Sequence, residues 1–297
     1  MPGGKRRIRD GTDAAIPISL RPWQIGCIVS RPNRPFLVSD SPLGFAHRGG
    51  AALFPENTLP AFQHALELGC RYLETDVHLS RDGVIVVAHD ERVDRTTDGS
   101  GRVSEMTLAE LRRFDAGHRF SPDGRNYPWR AKGLVIPTFE ELLELSSDAR
   151  INVELKSPDP HLVRAFWELV ERRRLHERLL VAGGIDKVVR AFRTLSAGSV
   201  ATSAGMREAQ LFWGVSRLGL SSRLPVAYDA LQVPPSSGGL TVVEPRFVRA
   251  AHARGIQVHV WTIDQPHEMR RLLDLGVDGI MSDRPDLMMQ VLRERAG

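Results

Sequence analysis

The chain alternates short apolar or β-branched runs with longer amphipathic segments from about residue 43 to its end. This order is typical of a parallel α/β sheet, in which each strand is followed by a helix that returns the chain to the start of the next strand. Eight of the runs are predicted to be barrel strands, at 44–47, 71–77, 151–156, 179–182, 199–203, 226–233, 256–263 and 279–282.

Amphipathic segments lie between these runs, and the clearest covers residues 57–68, with Gly69 as its C-terminal cap. Further helices are predicted at 139–146, 162–174, 185–195, 207–218, 244–254 and 266–275. Eight strands with intervening helices match the size of a closed (β/α)₈ TIM barrel. An open doubly wound sheet is the alternative, but no Gly-rich dinucleotide loop follows the first strand. We therefore predict an α/β fold of the barrel type.

One extended run, at 84–88, departs from the strand-helix rhythm because only a four-residue link containing Asp-Gly separates it from the second strand. So short a link predicts an antiparallel hairpin, which brings His89 beside Glu74 on the second strand. The long polar stretch at about 96–137 is then predicted to be a small subdomain over the barrel mouth, with a helical piece at 108–114. Residues 1–42 are predicted to be an N-terminal extension, partly flexible, and residues 43–297 to form the barrel domain.

Charge and hydropathy exclude several classes of protein. The net charge is +4, but the basic residues are scattered, so nucleic-acid binding is disfavoured. The chain lacks the run of about 18 apolar residues that a transmembrane helix needs, and no secretory signal is recognised. Its two cysteines, Cys27 and Cys70, cannot form a disulfide framework. A cytoplasmic protein is predicted.

Carboxylates stand where a barrel strand would normally be apolar. Glu74 and Asp76 lie two residues apart on the second strand and share a face, and Glu154 and Lys156 repeat the spacing on the third. Three buried carboxylates need a compensating cation, and oxygen ligands favour one Mg²⁺ or Ca²⁺ over zinc. The alternative is a set of exposed carboxylates on an edge strand. Location at the carboxyl ends of barrel strands favours the metal site.

Two histidines end neighbouring strand segments that also carry these carboxylates. His47 ends the first strand and precedes Arg48-Gly49-Gly50, and His89 ends the hairpin. A single histidine is more often structural, but a pair beside carboxylates favours general acid/base catalysis. His78 shares the face of Glu74 and is a weaker candidate for the same site.

A series of short motifs runs in order through residues 43–290: Ala46-His47-Arg48-Gly49, Pro55-Glu56-Asn57-Thr58 with Ala61-Phe62, Glu74-Thr75-Asp76-Val77, Asp82-Gly83, His89-Asp90, Arg95-Thr96-Thr97, Ile136-Pro137-Thr138, Val153-Glu154-Leu155-Lys156, Val260-Trp261-Thr262 and the run 279–285. Together they resemble the signature of the glycerophosphodiester phosphodiesterase family. Asp264 departs from this pattern, since the family often has Asn there.

The resemblance implies a metal-dependent (β/α)₈ barrel that hydrolyses a small glycerophosphodiester to glycerol 3-phosphate and an alcohol. It implies that His47 and His89 are the acid/base pair, and that Glu74, Asp76 and Glu154 hold the metal. Arg48 and Lys156 then hold the phosphate, and Trp261 packs against the glycerol.

Several alternatives remain open. The leaving alkoxide can be displaced by water or by the glycerol hydroxyl through a cyclic phosphate. The substrate can be a lysolipid, as in a lysophospholipase D, if the insertion forms an apolar trough from Tyr127, Trp129 and Leu134. An inactive binding barrel is disfavoured because buried carboxylates without metal chemistry cost stability. Peripheral membrane contact and the oligomeric state are left open.

Overall fold

The computed structural model of the chain describes residues 34–296. Most of the extension predicted at 1–42, including Cys27, lies outside the described residues. None of the helices in the described part is long and apolar enough to cross a membrane.

The strands are β1 (Leu43–Ala46), β2 (Tyr72–Leu79), β3 (Ile85–Val87), β4 (Arg150–Leu155), β5 (Leu179–Ala182), β6 (Ala201–Thr202), β7 (Ala230–Val233), β8 (Ser236–Ser237), β9 (Leu240–Thr241), β10 (Gln257–Val260) and β11 (Gly279–Ser282). Eight of them pair in parallel in the order β6-β5-β4-β2-β1-β11-β10-β7. A parallel bridge between Ser203 and Ala230 joins the two outer strands, so the sheet closes on itself. The predicted (β/α)₈ barrel is confirmed.

The helices are α1 (Leu59–Glu67), α2 (Leu108–Leu111), α3 (Phe139–Glu144), α4 (Pro160–Arg173), α5 (Asp186–Leu195), α6 (Met206–Arg217), α7 (Pro245–His252), α8 (Pro266–Asp274) and α9 (Pro285–Ala296). Their starts follow ordinary capping chemistry. Thr138 and Glu141 form a reciprocal capping box at α3, and Asp159 caps α4 with Pro160 in its first turn. Each predicted helix is present, with bounds within a few residues of the prediction.

The hairpin predicted after the second strand is also confirmed. β3 pairs antiparallel with β2, with Val77 opposite Val87 and Leu79 opposite Ile85. The amide of Ala88 donates to the carbonyl oxygen of Asp76 at 3.0 Å, which directs the following residue, His89, to the carboxyl end of β2.

The insertion has a small hydrophobic core of its own, built from Val86, Val93, Val103, Leu111, Ala116, Leu134 and Ile136. Leu134 is therefore inside the subdomain, and Trp129 packs its ring 5.3 Å from that of Phe54. Tyr127 is exposed beneath the guanidinium of Arg130. These three residues do not form the apolar trough considered from the sequence.

Residues just before β1 close the amino end of the barrel. Phe36 is 1% exposed and packs against Phe45 and Tyr72, with ring centroids 6.4 and 5.4 Å away. Its carbonyl oxygen accepts hydrogen bonds from Tyr72 and from Arg150 at the start of β4. Part of the stretch assigned to the extension is therefore the floor of the barrel.

A second hairpin, β8–β9, follows β7 and was not predicted. Its turn is Gly238-Gly239, with φ of 56° and 79°, a conformation that glycine adopts without strain and that tight hairpins require. Because β7 ends just before this hairpin, the hairpin lies on the same side of the barrel as the carboxyl ends of the strands.

Candidate active site

His47 and Arg48 occupy a tight 3₁₀ turn directly after β1. Arg48 has φ 49° and Gly49 has φ 82°, both in the left-handed region. A Cβ at Gly49 would lie 2.8 Å from the Cβ of Ala61 and 2.9 Å from the backbone nitrogen of Phe62, so a side chain has no room there. The Gly49 backbone thus packs against α1 and fixes both functional side chains at the end of β1.

Glu74 and Asp76 lie side by side at the carboxyl end of β2, 5% and 2% exposed. Glu74 accepts from the Arg48 amide at 3.0 Å, and Asp76 accepts from the Asn57 side chain at 3.2 Å. Burial, reinforced by the negative charge of Asp76, raises the pKa of Glu74 to about 8. The neighbouring groups therefore leave part of the negative charge of this pair uncompensated.

Glu154 and Lys156 complete the cluster from β4, where Glu154 pairs in register with Asp76. The Nζ atom of Lys156 lies 3.5 Å from Asp76 and 3.4 Å from Glu154. Gly184 makes room for the Glu154 carboxylate, since a Cβ there would lie 2.2 Å from its Oε1. Lys156 thus places one positive charge between the two carboxylates that face each other across β2 and β4.

The donor chemistry of this cluster fits a divalent cation. Glu74 and Asp76 offer carboxylate oxygens, the ligands that Mg²⁺ and Ca²⁺ prefer, and a bound cation would offset the burial that raises the pKa of Glu74. Among residues 34–296, however, no group of three His, Cys, Asp or Glu side chains is already spaced to hold an ion. Lys156 supplies one positive charge between Asp76 and Glu154.

The ring of His47 is held between two carboxylates. Its Nδ1 lies 2.6 Å from Asp283 Oδ1, and its Nε2 lies 3.8 Å from Glu74 Oε2. A carboxylate only accepts, so Nδ1 carries the proton and Nε2 faces the cluster. Burial opposes protonation of the ring, but Glu74 and Asp283 outweigh it and hold the pKa of His47 above its usual value.

His89 has the same arrangement on the other side of the cluster. Its Nδ1 lies 2.6 Å from Asp90 Oδ1, so its Nε2 is again the nitrogen directed at the site. That Nε2 accepts from Lys156 at 3.3 Å. The Nε2 of His78 lies 3.2 Å from the backbone oxygen of His89. His78, the weaker candidate from the sequence, therefore contacts the backbone of His89.

A network of charged residues that the sequence analysis did not assign links the two histidine loops. The guanidinium of Arg95 donates from two nitrogens to Glu56, each at 2.7 Å, and from Nε to Asp90 at 2.5 Å. Glu56 also accepts from Arg48 at 3.0 Å. Arg95 thus connects the carboxylate beside His89 to the arginine beside His47.

Asp264 stands where the resemblance led us to expect Asn, and its Oδ1 accepts from Ser282 Oγ at 2.9 Å and from the Asp283 amide at 2.8 Å. An asparagine Oδ1 can accept the same two bonds. Asp264 therefore stabilises the end of β11, next to Asp283, the partner of His47.

Trp261 lies just past the end of β10, at the mouth of the barrel. It is 41% exposed, whereas His259, two residues earlier, is fully buried and has a pKa lowered to about 4 by that burial. The alternative considered for Trp261 was that its ring fills the barrel core. In this strand it is His259 that fills the core. Trp261 and Glu154 both line a cavity of about 390 Å³ beside the charged cluster.

Contacts thus bring together seven of the predicted site residues, and Trp261 joins them through the shared cavity. The carboxylates and the arginine that support them, Asp283, Asp90, Glu56 and Arg95, were missed as functional residues. All four lie within the motifs, but no spacing rule assigned them a partner.

Comparison with known proteins agrees with this geometry. The family model described as "Glycerophosphoryl diester phosphodiesterase family" matches residues 47–287. A "Probable glycerophosphodiester phosphodiesterase 2" of Mycobacterium tuberculosis is 36% identical, over 89% of this chain and 96% of the relative. An Oleispira antarctica phosphodiesterase, solved in complex with the product sn-glycerol-3-phosphate, superposes with a TM-score of 0.70 at 26% identity, over 85% of this chain and 97% of the other. The chain belongs to the glycerophosphoryl diester phosphodiesterase family.

Proposed function

We propose that this phosphodiesterase hydrolyses glycerophosphodiesters to glycerol 3-phosphate and an alcohol, with a divalent cation and with His47 and His89 as the acid/base pair. The observation that carries the proposal is the paired arrangement of the histidines. Each has a carboxylate 2.6 Å from Nδ1 and directs Nε2 at one cluster of carboxylates and cations. The product bound to the Oleispira antarctica relative supports the identity of the product.

The phosphate of the substrate would bind between Arg48 and Lys156. The Nε atom of Arg48 is buried, lies 3.5 Å from Asp76, and makes no hydrogen bond within the described part of the chain. A buried guanidinium donor without an acceptor is costly, and a phosphate oxygen would satisfy it. Lys156 supplies a second positive charge on the opposite side, at β4.

The two histidines would then move protons at their Nε2 atoms. One Nε2 removes the proton of the attacking hydroxyl, which belongs to water or to the glycerol; attack by the glycerol hydroxyl forms a cyclic phosphate, and water then opens its ring to give glycerol 3-phosphate. The other, in its protonated form, gives a proton to the oxygen of the departing alcohol, so that the P–O bond breaks without releasing a free alkoxide. Asp283 and Asp90 keep both rings in the required tautomer and stabilise the charged form.

The residues that would hold the cation are Glu74, Asp76 and Glu154. When bound, the cation neutralises phosphate charge and favours attack at phosphorus. Support for this assignment comes from the carboxylate donor set and from the raised pKa of Glu74.

Release of glycerol 3-phosphate from glycerophosphocholine, glycerophosphoethanolamine and glycerophosphoglycerol tests the proposal. We expect turnover when Mg²⁺ or Ca²⁺ is supplied, loss of turnover in excess chelator, and recovery on adding the cation back. The melting temperature measured with and without chelator separates loss of catalysis from unfolding. Full turnover in excess chelator contradicts metal dependence, and no glycerol 3-phosphate from any diester contradicts the activity itself.

A further inference from the structure

A chain of hydrogen-bonded side chains runs through the barrel interior from its floor to the cavity beside the charged cluster. Its members are Gln257 and His259 of β10 and Gln232 of β7, and His259 and Gln232 lie opposite each other on the paired strands. His259 is fully buried and packs on Phe45, with ring centroids 5.0 Å apart. Polar groups this deep in a barrel are tolerated only when they are hydrogen-bonded, so each bond in the chain matters.

The carbonyl oxygen of Leu37 at the floor fixes the direction of the bonds in this chain. That oxygen only accepts, so it receives Gln257 Nε2 at 2.9 Å, and Gln257 Oε1 is left to accept from His259 Nε2 at 2.9 Å. Burial lowers the pKa of His259 to about 4, so the ring holds a single proton at neutral pH and its Nδ1 is an acceptor. Gln232 Nε2 donates to this Nδ1 at 3.3 Å.

The side-chain oxygen of Gln232 is therefore an acceptor that faces the cavity. Gln232 Nε2 also donates to Asn152 Oδ1 at 2.9 Å, so both amide hydrogens are used inside the barrel. Within residues 34–296 no group donates to Gln232 Oε1, and this atom stays accessible because Gln232 lines the cavity. The amide cannot flip without losing both of its bonds, so the position of the acceptor is fixed.

The cavity joins this acceptor to the charged cluster. It lies at the carboxyl ends of β5, β6, β7 and β10 and is walled by α6 and by the β8–β9 hairpin. Glu154 lines it from the side of the cluster, and Asn152, the partner of Gln232, lies two residues before Glu154 on the same face of β4. Two residues of a strand span about 7 Å, a distance that one small molecule can bridge.

Gln232 differs from the other side chains that line this cavity. Most of the wall is apolar, from Met206, Ala209, Trp213, Leu240, Val242 and Trp261. Among the uncharged polar side chains, Ser203 already accepts from the Gly183 amide and donates to the Ala204 carbonyl oxygen. Gln210 and Ser237 are exposed to solvent. Gln232 Oε1 is therefore a fixed acceptor set among apolar walls, the arrangement by which a pocket selects one polar group of a ligand.

We infer that Gln232 Oε1 accepts a hydrogen bond from the terminal hydroxyl of the glycerol moiety and thereby selects glycerol diesters among phosphodiesters. The inference rests on the proposed function and adds a specificity-determining residue to it. Of the two free hydroxyls of the glycerol, one lies on the carbon next to the ester carbon and stays close to the phosphate at the cluster. The terminal hydroxyl lies farthest from the phosphate and can extend into the cavity. A group that cannot donate would leave Oε1 without a partner.

The test measures choline release from three diesters that differ at the terminal position of the glycerol. Glycerophosphocholine carries a hydroxyl there, the primary phosphocholine ester of propylene glycol carries hydrogen, and the fluorinated derivative of that ester carries fluorine, which cannot donate. All three keep the hydroxyl next to the ester carbon, so a route through a cyclic phosphate stays open to each. For the wild type we expect kcat/KM to be about tenfold lower with both analogues, the scale of one lost hydrogen bond.

Gln232→Met nearly keeps the length of the side chain and removes the acceptor. It should lower kcat/KM for glycerophosphocholine about tenfold and bring the three substrates within about twofold of one another. Methionine cannot donate to Asn152 or His259, so thermal unfolding is measured as well. Gln232→Asn keeps an amide but withdraws it by one methylene, and it should also reduce the preference. Gln290→Met, on the exposed side of α9, is the matched control and should leave all three kcat/KM values unchanged.

The outcomes separate the inference from the proposed function. Equal losses on all three substrates in both Gln232 variants assign Gln232 to the fold and overturn the inference. Equal turnover of glycerophosphocholine and the fluorinated analogue by the wild type also overturns it, since no donor would then be needed. Both results leave the proposed function intact. No choline from glycerophosphocholine with the wild type contradicts the proposed function, and the inference fails with it.

Discussion

His47 and His89 owe their shared orientation to residues from different parts of the chain. Asp283 follows β11, whereas Asp90 is the next residue after His89. Each carboxylate contacts the Nδ1 atom of its histidine. Both histidine side chains are partly accessible, since His47 is 16% exposed and His89 is 29% exposed. The two rings are therefore fixed in tautomer while Nε2 stays open to a substrate.

We expect His47→Ala and His89→Ala each to lower kcat by at least about 100-fold, because each removes one of two groups that transfer protons. Neither ring is in the hydrophobic core, so the melting temperature should change little. The measurement is steady-state release of glycerol 3-phosphate together with thermal unfolding. His176→Ala is the matched control, since His176 pairs with Glu171 on the surface. A histidine variant within a few-fold of wild type does not take part in the mechanism.

At the scale of elements, Arg95 ties the loop after β1 to the loop after β3. Its three bonds to Glu56 and Asp90 require a planar, forked donor. Burial opposes ionisation of Glu56, but the bonds from Arg95 and the charge of Arg48 outweigh it and hold the pKa of Glu56 below its usual value. Glu56 therefore stays ionised at neutral pH.

Arg95→Lys keeps the charge but cannot make the three bonds together, so His89 and Arg48 should lose alignment. We expect kcat/KM to fall about 10- to 100-fold, as for residues that orient groups contacting the substrate. The free energy of unfolding should change by less than about 1 kcal/mol, because the ion pairs are partly exposed. Arg92→Lys, in a neighbouring pair with Asp94, should leave activity unchanged. A drop in kcat/KM of equal size in both variants counts against a positioning role for Arg95.

The elements that could be predicted from the sequence are those with a strong local pattern. Apolar runs identified all eight barrel strands, and the Asp-Gly turn identified the β2–β3 hairpin. Strand lengths were overestimated at β6, β7 and β10, because the predicted runs include flanking residues that lie outside the paired strands. The β8–β9 hairpin was missed because two-residue strands have no periodicity, although Gly238-Gly239 was a usable turn signal.

Only part of the candidate site could be predicted from the sequence. Residues that break an apolar strand, such as Glu74 and Asp76, are visible in the sequence because they violate the core pattern. The carboxylates that orient the histidines are not visible in this way, because Asp283, the partner of His47, lies 236 residues away from it along the chain. Only closure of the barrel brings Asp283 beside the turn that carries His47. The apolar cavity was invisible for the same reason, since its walls come from several separate segments.

At the scale of the whole molecule, the barrel is closed at one end by residues outside the repeating pattern. Arg34 donates to Gly198 and to Asp229, Gln257 donates to the carbonyl oxygen of Leu37, and Phe36 fills the space between them. This segment contacts β1, β2, β4 and β10 and the residue just before β7, so it joins strands from both halves of the sheet.

Phe36→Ala should lower the free energy of unfolding by about 3–5 kcal/mol, the usual effect of removing a buried phenylalanine ring. The kcat and KM of the folded protein should not change, because the floor is at the end of the barrel opposite to the site. Denaturant and thermal unfolding measure the first effect, and activity at low temperature measures the second. Val38→Ala, at a position 57% exposed, is the control and should cost well under 1 kcal/mol. A small loss for Phe36→Ala would show that the floor does not stabilise the barrel.

The charged cluster comes from β1 to β4, and most of the cavity wall comes from β5 to β10. The charged cluster and the cavity wall can therefore change independently during evolution. Substitutions in α6 or in the β8–β9 hairpin change what fits beside Trp261 without moving a proton-transfer group, so substrate range can drift while the chemistry is inherited. For the same reason, exchange of that short hairpin between relatives is a direct route to changing the shape of the cavity beside Trp261 while the charged cluster stays intact.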